Sequence, residues 1–442
     1  MSQKLARLNG MQKFSVIWFG QLVSLFGTAT TRFALLIWAY DQTGEATTLA
    51  LLGFFSFITY VLISPIAGVW VDRLDRRLVM MLSDLGAGVM TILMLVLYTT
   101  GNLQIWHLYL AEGLTGAFEA FQVPAYSASV SVLVPKEQYA RAAGMRSLAT
   151  NASQMFAPFF AGLLLRLVDI DGVMLIDVMT FLFAMGTLLV IRIPRPAASA
   201  DGTRIQGEPF LRQVSFGFRY IWRRPGLMWL VFVFMCINFV AALTWYALLA
   251  PMVLGRTGGD ELALAGVQTA LGVGGVLGGL IMSAWGGPKR RIHGVLAGVI
   301  VSFFLGDFVL GAGHSLPVWI AGAFMGSLFI PLIVASDQAI WQAKVAPDVQ
   351  GRVFAAQGFF RTMVMPLGFL VAGPLADQVF GPALMPGGSL AGTFGGLVGT
   401  GAGAGIGLMF VCTSIMGMTI GVTGYLFPWV RNVERDLPDH DR

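Results

Sequence analysis

Of 442 residues, 56% are hydrophobic and only 12% are charged, and the mean hydropathy is +0.75. A water-soluble domain carries about 25% charged residues, so this composition excludes a soluble enzyme or binding module and points to a chain dissolved in lipid. The net charge of +5 is no argument for nucleic acid, because the basic residues stand in short connections between apolar runs.

A helix needs about 20 apolar residues to cross a bilayer. Twelve runs meet that length: 14–40, 47–70, 78–98, 105–131, 146–167, 172–192, 226–252, 261–285, 292–312, 316–341, 352–378 and 403–428. The opening "MSQKLARLNGMQK" is basic, but the apolar run behind it is too long for a signal-peptide core and reads as an uncleaved first span. That span carries Gln21 and, in "TATTRFALL", Arg32. The second ends abruptly in "GVWVDRLDRR" (68–77), a dense knot of charge. The fourth holds Glu112 and Glu119 in "AEGLTGAFEAF"; seven residues apart, they share a helix face, about 10 Å apart along the axis. The connection 193–225 contains "EPFLRQVSFGFRYIWRRPG", a basic amphipathic stretch expected to lie along a membrane surface. The seventh span adds Asn238, Trp245 and Tyr246, the eleventh Arg361, and the Gly-rich segment 381–405 reads as a loop before the last span.

Orientation follows from the basic residues. With the N-terminus inside, all but Arg32, Arg166, Arg256 and Arg361 of the 28 Lys and Arg fall on the cytoplasmic side, which predicts both termini there. Cys236 and Cys412 lie within apolar runs and form no disulfide framework or metal spacing. No His pair has metal-ligand spacing and no phosphate-binding loop is present, so no cofactor and no enzymatic activity are expected.

The two halves echo each other at a near-constant offset. "TGEATTLALLG" (43–53) is answered by "TGGDELALAG" (257–266), Gly68 with Arg76–Arg77 by Gly279 with "KRR" (289–291), and "VPKEQYAR" (134–141) by "APDVQGR" (346–352). A six-plus-six repeat joined by a long connection is the layout of the major facilitator fold. "GVWVDRLDRR" resembles that superfamily's signature between spans 2 and 3, matching it at Gly68, Asp72, Arg73, Arg76 and Arg77. Asp75 stands where the family usually has Gly. The stretches "FGQLVSLFG", "YDQTG", "VPAYSASVSVLVP" and "GTGAGAGIGLMF" resemble the macrolide-efflux and enterobactin-exporter-like branch. The resemblance implies an all-α polytopic membrane protein with twelve transmembrane helices in two bundles, 1–192 and 226–442, joined by the linker 193–225.

The resemblance also implies an efflux carrier exporting amphipathic, macrolide-like drugs or metabolites by proton antiport and alternating access. A lipid or lysolipid transporter and a siderophore exporter are the alternatives within the fold. The expected partners are a small amphipathic substrate, protons and membrane lipids, in a bacterial inner membrane, with the chain a monomer. Gly68, Asp72, Arg73, Arg76 and Arg77 are expected to act as a conformational latch, with Asp72 facing the helix N-terminus at Gly351–Arg352.

Ionisable residues in mid-span are costly and functional by default. Arg32 with Glu112 is the expected pair, Glu119 a proton-coupling candidate, and Arg361 a partner for Glu119 or for backbone carbonyls. Gln21, Asn238, Trp245 and Tyr246 are expected to shape the substrate cavity. Asp84 and Asp337 fall toward cytoplasmic ends of their spans and Asp177 and Asp377 toward outer ends, where water is expected nearby; Asp307, in the ninth span, reads as structurally buried or in contact with water.

Overall fold

The computed structural model describes residues 9–134, 139–191, 193, 210–345 and 350–438; within its helices some residues lie outside the described set, among them Asp72, Arg73, Asn151 and Arg352 and the positions Gly68 and Gly351. Every regular element among the described residues is helical. Ten stretches are long and apolar enough to cross a membrane. One of them, Phe156–Val190, has 35 residues and would run about 50 Å as a straight helix, against a hydrocarbon core of about 30 Å. It is turned at Asp169, whose φ is 58°, and so holds two of the predicted spans. The helix Ile105–Leu133, 29 residues long, is absent from the ten because Glu112, Glu119 and Gln122 lower its apolarity. Twelve crossings are consistent with this arrangement.

The chain divides into two compact units, 1–43 with 52–198, and 44–51 with 199–442. In the first, Phe14, Ile17, Met80, Ala125 and Leu188 form a buried core. The helices Ala46–Arg73 and Ile105–Leu133 approach closely at Gly116, where a Cβ would stand 2.2 Å from the Ser56 carbonyl oxygen. Only glycine fits there, as in other membrane helix contacts. In the second unit, Leu227, Leu230, Leu296, Val299, Ile340 and Trp341 form the core. Each unit leaves large apolar side chains exposed, such as Leu62 and Met179 in the first and Leu280 and Leu426 in the second. Water would penalise such surfaces; acyl chains do not.

The charge knot is partly a helix start. Asp75 is the N-cap of Arg76–Thr99, its side chain accepting from Arg77 N at 2.9 Å and Leu78 N at 3.3 Å. Arg77 donates to the carbonyls of Leu188 (2.7 Å) and Leu189 (2.6 Å), which end a helix with unpaired oxygens. The acid at 75 therefore has a local reason: it satisfies N–H groups that glycine would leave to water.

Two expectations need correction. The Gly-rich segment 381–405 is not a bare loop; it contains the short helices Gly381–Leu384 and Ala391–Val398. Leu384 and Val398 bury themselves against Ala404, Leu408 and Val411, so apolar side chains spaced between the glycines give it a core. Asp377 does not simply meet water: it accepts from the N–H groups of Ala46 (3.1 Å) and Thr47 (2.7 Å) and from the Thr47 hydroxyl (2.5 Å). It thus caps the first turn of Ala46–Arg73, within the second unit. The predicted amphipathic stretch forms the helix Phe210–Trp222, with Phe216, Phe218, Tyr220 and Ile221 packed into the second unit's core.

Candidate functional site

The first unit gathers its intramembrane charge around Arg32. Its Nη2 lies 3.2 Å from Glu112 Oε2 and its Nη1 2.9 Å from Glu119 Oε1. The two acids stand on one face of the helix Ile105–Leu133, about 10 Å apart along its axis, and their side chains close that distance onto the two ends of one guanidinium. All three are partly open, with side chains 35, 22 and 42% exposed for Arg32, Glu112 and Glu119. One cation serves two anions, so the cluster carries one net negative charge when both acids are ionised and none when one is protonated.

Gln21 is not isolated. Its amide donates to Asp84 Oδ2 at 2.7 Å; Gln122 donates to Asp84 Oδ1 and to the Gln21 amide oxygen. Asp84 is buried rather than watered, as is Asp177, which accepts from Thr28 (3.1 Å) and Thr91 (3.0 Å). Both sit further inside their helices than span ends counted along the chain imply, and hydroxyls or amides replace the water expected there.

The second unit pairs its charges differently. Among the described residues of this unit Arg361 meets an acid rather than a backbone carbonyl: its Nη2 binds Asp337 Oδ2 at 2.7 Å. Its guanidinium lies 4.0 Å from the Phe234 ring centre, a cation–π contact. Asp337 is 1% exposed and also accepts from Trp341 Nε1 at 3.1 Å. This is a closed pair with one acid for one base. Arg256 instead donates to four carbonyls, those of Gly403, Gly313, Gly311 and Val398, and so clamps the Gly-rich segment. Asn238 donates to the Phe234 carbonyl of its own helix at 2.9 Å. Tyr246 is exposed, while Trp245 is half-buried and donates to Asp307 Oδ2.

The structure thus joins Arg32, Glu112 and Glu119, and separately Gln21 with two residues outside the sequence-based set, Asp84 and Gln122. The signal for Asp84 was an acid six residues into an apolar run, and the signal for Asp337 an acid followed within five residues by Gln338, Trp341 and Gln342. An apolar recess of about 460 Å³ lies elsewhere in the second unit, lined by Phe232, Met235, Phe239, Ile415 and Met416. It holds none of these charges. Among the described residues no group of three or more His, Cys, Asp or Glu is placed to hold a metal ion.

An all-helical membrane chain with partly open charges inside its spans has the makings of a solute carrier. The family model of the Major Facilitator Superfamily matches residues 17–369, and the chain belongs to that superfamily of transporters. It is 27% identical over 383 residues to Macrolide efflux protein A of Streptococcus pyogenes, covering 84% of this chain and 91% of that protein. It is 24% identical over 373 residues to Multidrug efflux pump Tap of Mycolicibacterium fortuitum, covering 82% and 88%. These relatives support the macrolide-efflux-like branch. Among solved structures, a bacterial homolog of the human lysosomal transporter Spinster matches with a TM-score of 0.71 at 16% identity, over 96% of this chain and 98% of that one. A POT family transporter in complex with a thioalcohol-conjugated peptide matches at 0.67 and 13%, over 94% and 95%. These last two likenesses concern the fold alone.

Proposed function

We propose that this transporter is a secondary active exporter of amphipathic, cationic drugs of the macrolide type, driven by proton antiport. The observation that carries the reading is the sharing of Arg32 between Glu112 and Glu119. The spare negative charge takes either a proton or the cationic group of a substrate. The two compete, so substrate arrival expels the proton and proton arrival expels the substrate; that competition is antiport in its smallest form. The efflux-named relatives support the substrate class. Export proceeds by alternating access in a bacterial cytoplasmic membrane, with both termini inside. The bundles 1–192 and 226–442, the linker 193–225 and the latch Gly68, Asp72, Arg73, Arg76 and Arg77 are part of the same proposal.

Equilibrium binding in detergent tests it directly. Substrate affinity is expected to fall as pH is lowered, by about tenfold where the coupling free energy is typical. In E119Q or E112Q one acid remains for one base, and the dependence flattens. In proteoliposomes, efflux of the same compound stops when the pH gradient is collapsed. Affinity independent of pH in the unmodified protein, or headgroup-dependent lipid movement without any gradient, removes the proposal.

A further inference from the structure

Asp307 is 1% exposed, and among the described residues no cationic side chain pairs with it. Its partners are neutral donors on two other helical segments: Trp245 Nε1 to Oδ2 at 2.5 Å, and the hydroxyls of Thr244 (3.5 Å) and Thr413 (3.4 Å) to Oδ1. The charged groups of the segments packed on its own turn, Phe303–Phe308, are few. Leu316–Leu328 and Val309–Ala312 carry none. Arg291–Ser302 has Arg291 and His293, about four turns away. Ala404–Leu426 has Cys412, which is exposed, and Tyr425, which contacts His293. Tyr246, beside Trp245, is exposed.

Asp337 has a cation in Arg361, whereas Asp307, like Asp84, has only neutral partners among the described residues; what sets Asp307 apart is the kind of partner. Asp307 has instead a set of donors that can serve two protonation states. The Thr244 hydroxyl has a second acceptor in the Val240 carbonyl (3.4 Å), and Thr413 has the carbonyls of Met409 and Phe410 (both 3.0 Å). With the carboxylate ionised, both hydroxyls turn their hydrogens to Oδ1. With a proton on Oδ1, that O–H donates to a threonine oxygen, and the hydroxyls turn back to their own helices. The indole N–H donates to Oδ2 in either state, but the bond to the ion is about twice as strong. No backbone movement is needed.

The backbone at both contacts is itself unusual. Trp245 lies in the π-helical turn Ala242–Tyr246 and Asp307 in the π-helical turn Phe303–Phe308; such turns cluster at functional sites. The indole lies against a pair of adjoining glycines, Gly306 and Gly326. A Cβ at Gly326 would stand 2.8 Å from the ring and one at Gly306 3.2 Å. Trp245 is half-buried, whereas the acid it donates to is almost wholly enclosed.

We propose that Asp307 is a proton-binding site of the second unit, gated by the Trp245 indole, and that binding a proton there slackens the hold on Trp245. Trp245 then adjusts the substrate's grip in step with protonation, a part of the claim that rests on the exporter reading; the protonation itself does not. Acid–base difference infrared spectroscopy of the full chain in lipid nanodiscs tests it without transport. Acidification is expected to raise a carboxylic C=O band, and D307N to remove one component that E112Q, E119Q and D84N each retain. W245F and G326A keep that component and move it to higher wavenumber, because the C=O loses the indole donor in one and the indole is wedged away in the other. A D307N spectrum superimposable on the unmodified protein's, or no titrating carboxyl band at all, overturns the proposal. If D307N fails to assemble, an unmoved band in both W245F and G326A overturns it equally. Loss of efflux with the Asp307 band intact would count against the exporter reading alone.

Discussion

Burial together with a single partner of opposite charge marks which of the intramembrane charges are structural. Asp337 and Arg361, 1 and 18% exposed, form a closed pair whose removal by halves leaves an orphaned charge. D337N is expected to cost about 3 kcal/mol or more, seen as a drop in the midpoint of thermal unfolding in detergent. D337L with R361M, which removes both charges and keeps apolar volume, should regain most of that loss. A double variant no more stable than D337N would mean that Arg361 is held by something other than Asp337. The Arg32 cluster differs because its three side chains stay partly open and two acids share one base. These residues were legible as candidates from the cost of charge in lipid. Their partners were less so. Arg361 and Asp337 are 24 residues apart on different helices, and the helix rotation that turns one toward the other leaves no mark in a uniformly apolar run.

Local rules explain elements well where polar residues mark their ends. Asp75 and Asp260 each stand one residue before a helix and accept from its first N–H groups, as an acid in that position should. Asp75 and Asp72 lie three residues apart but have separable roles. D75A removes a cap and is expected to lower stability by about 1 kcal/mol while leaving the transport rate of the folded fraction unchanged. D72A, if the latch proposal holds, lowers transport with membrane insertion and thermal midpoint intact. Equal loss of transport in both variants, scaled to folded protein, would fold the latch into the cap. Where glycine is dense the local rules fail. The segment 381–405 offers no periodicity, yet Arg256 gathers carbonyls at 311, 313, 398 and 403, and Gly407 leaves room for its guanidinium: a Cβ there would stand 1.9 Å from Nη2. Such order comes from one distant donor meeting four acceptors, which no window of neighbouring residues contains.

At the scale of the whole molecule, the number of crossings has a parity test. Ten stretches satisfy length and apolarity; the twelve-span reading adds Ile105–Leu133 and divides Phe156–Val190 at Asp169. The two counts place most connections on the same sides, because the extra crossings come as a neighbouring pair. They differ at the connection after Leu133. Charge favours the twelve-span answer, since Lys136 and Arg141 would sit inside. Cys236 and Cys412 lie within apolar helices and can be replaced by serine to leave a blank background. Against it, N102C in the exposed turn after Arg76–Thr99 is expected to react with a membrane-impermeant maleimide on intact cells. R290C, exposed at the end of the eighth predicted span, should react only after the membrane is opened. K136C decides: twelve crossings hide it until permeabilisation, whereas ten crossings label it from outside. Labelling of K136C on intact cells would remove Ile105–Leu133 from the membrane, and with it the premise that Glu112 and Glu119 carry their charge inside the bilayer.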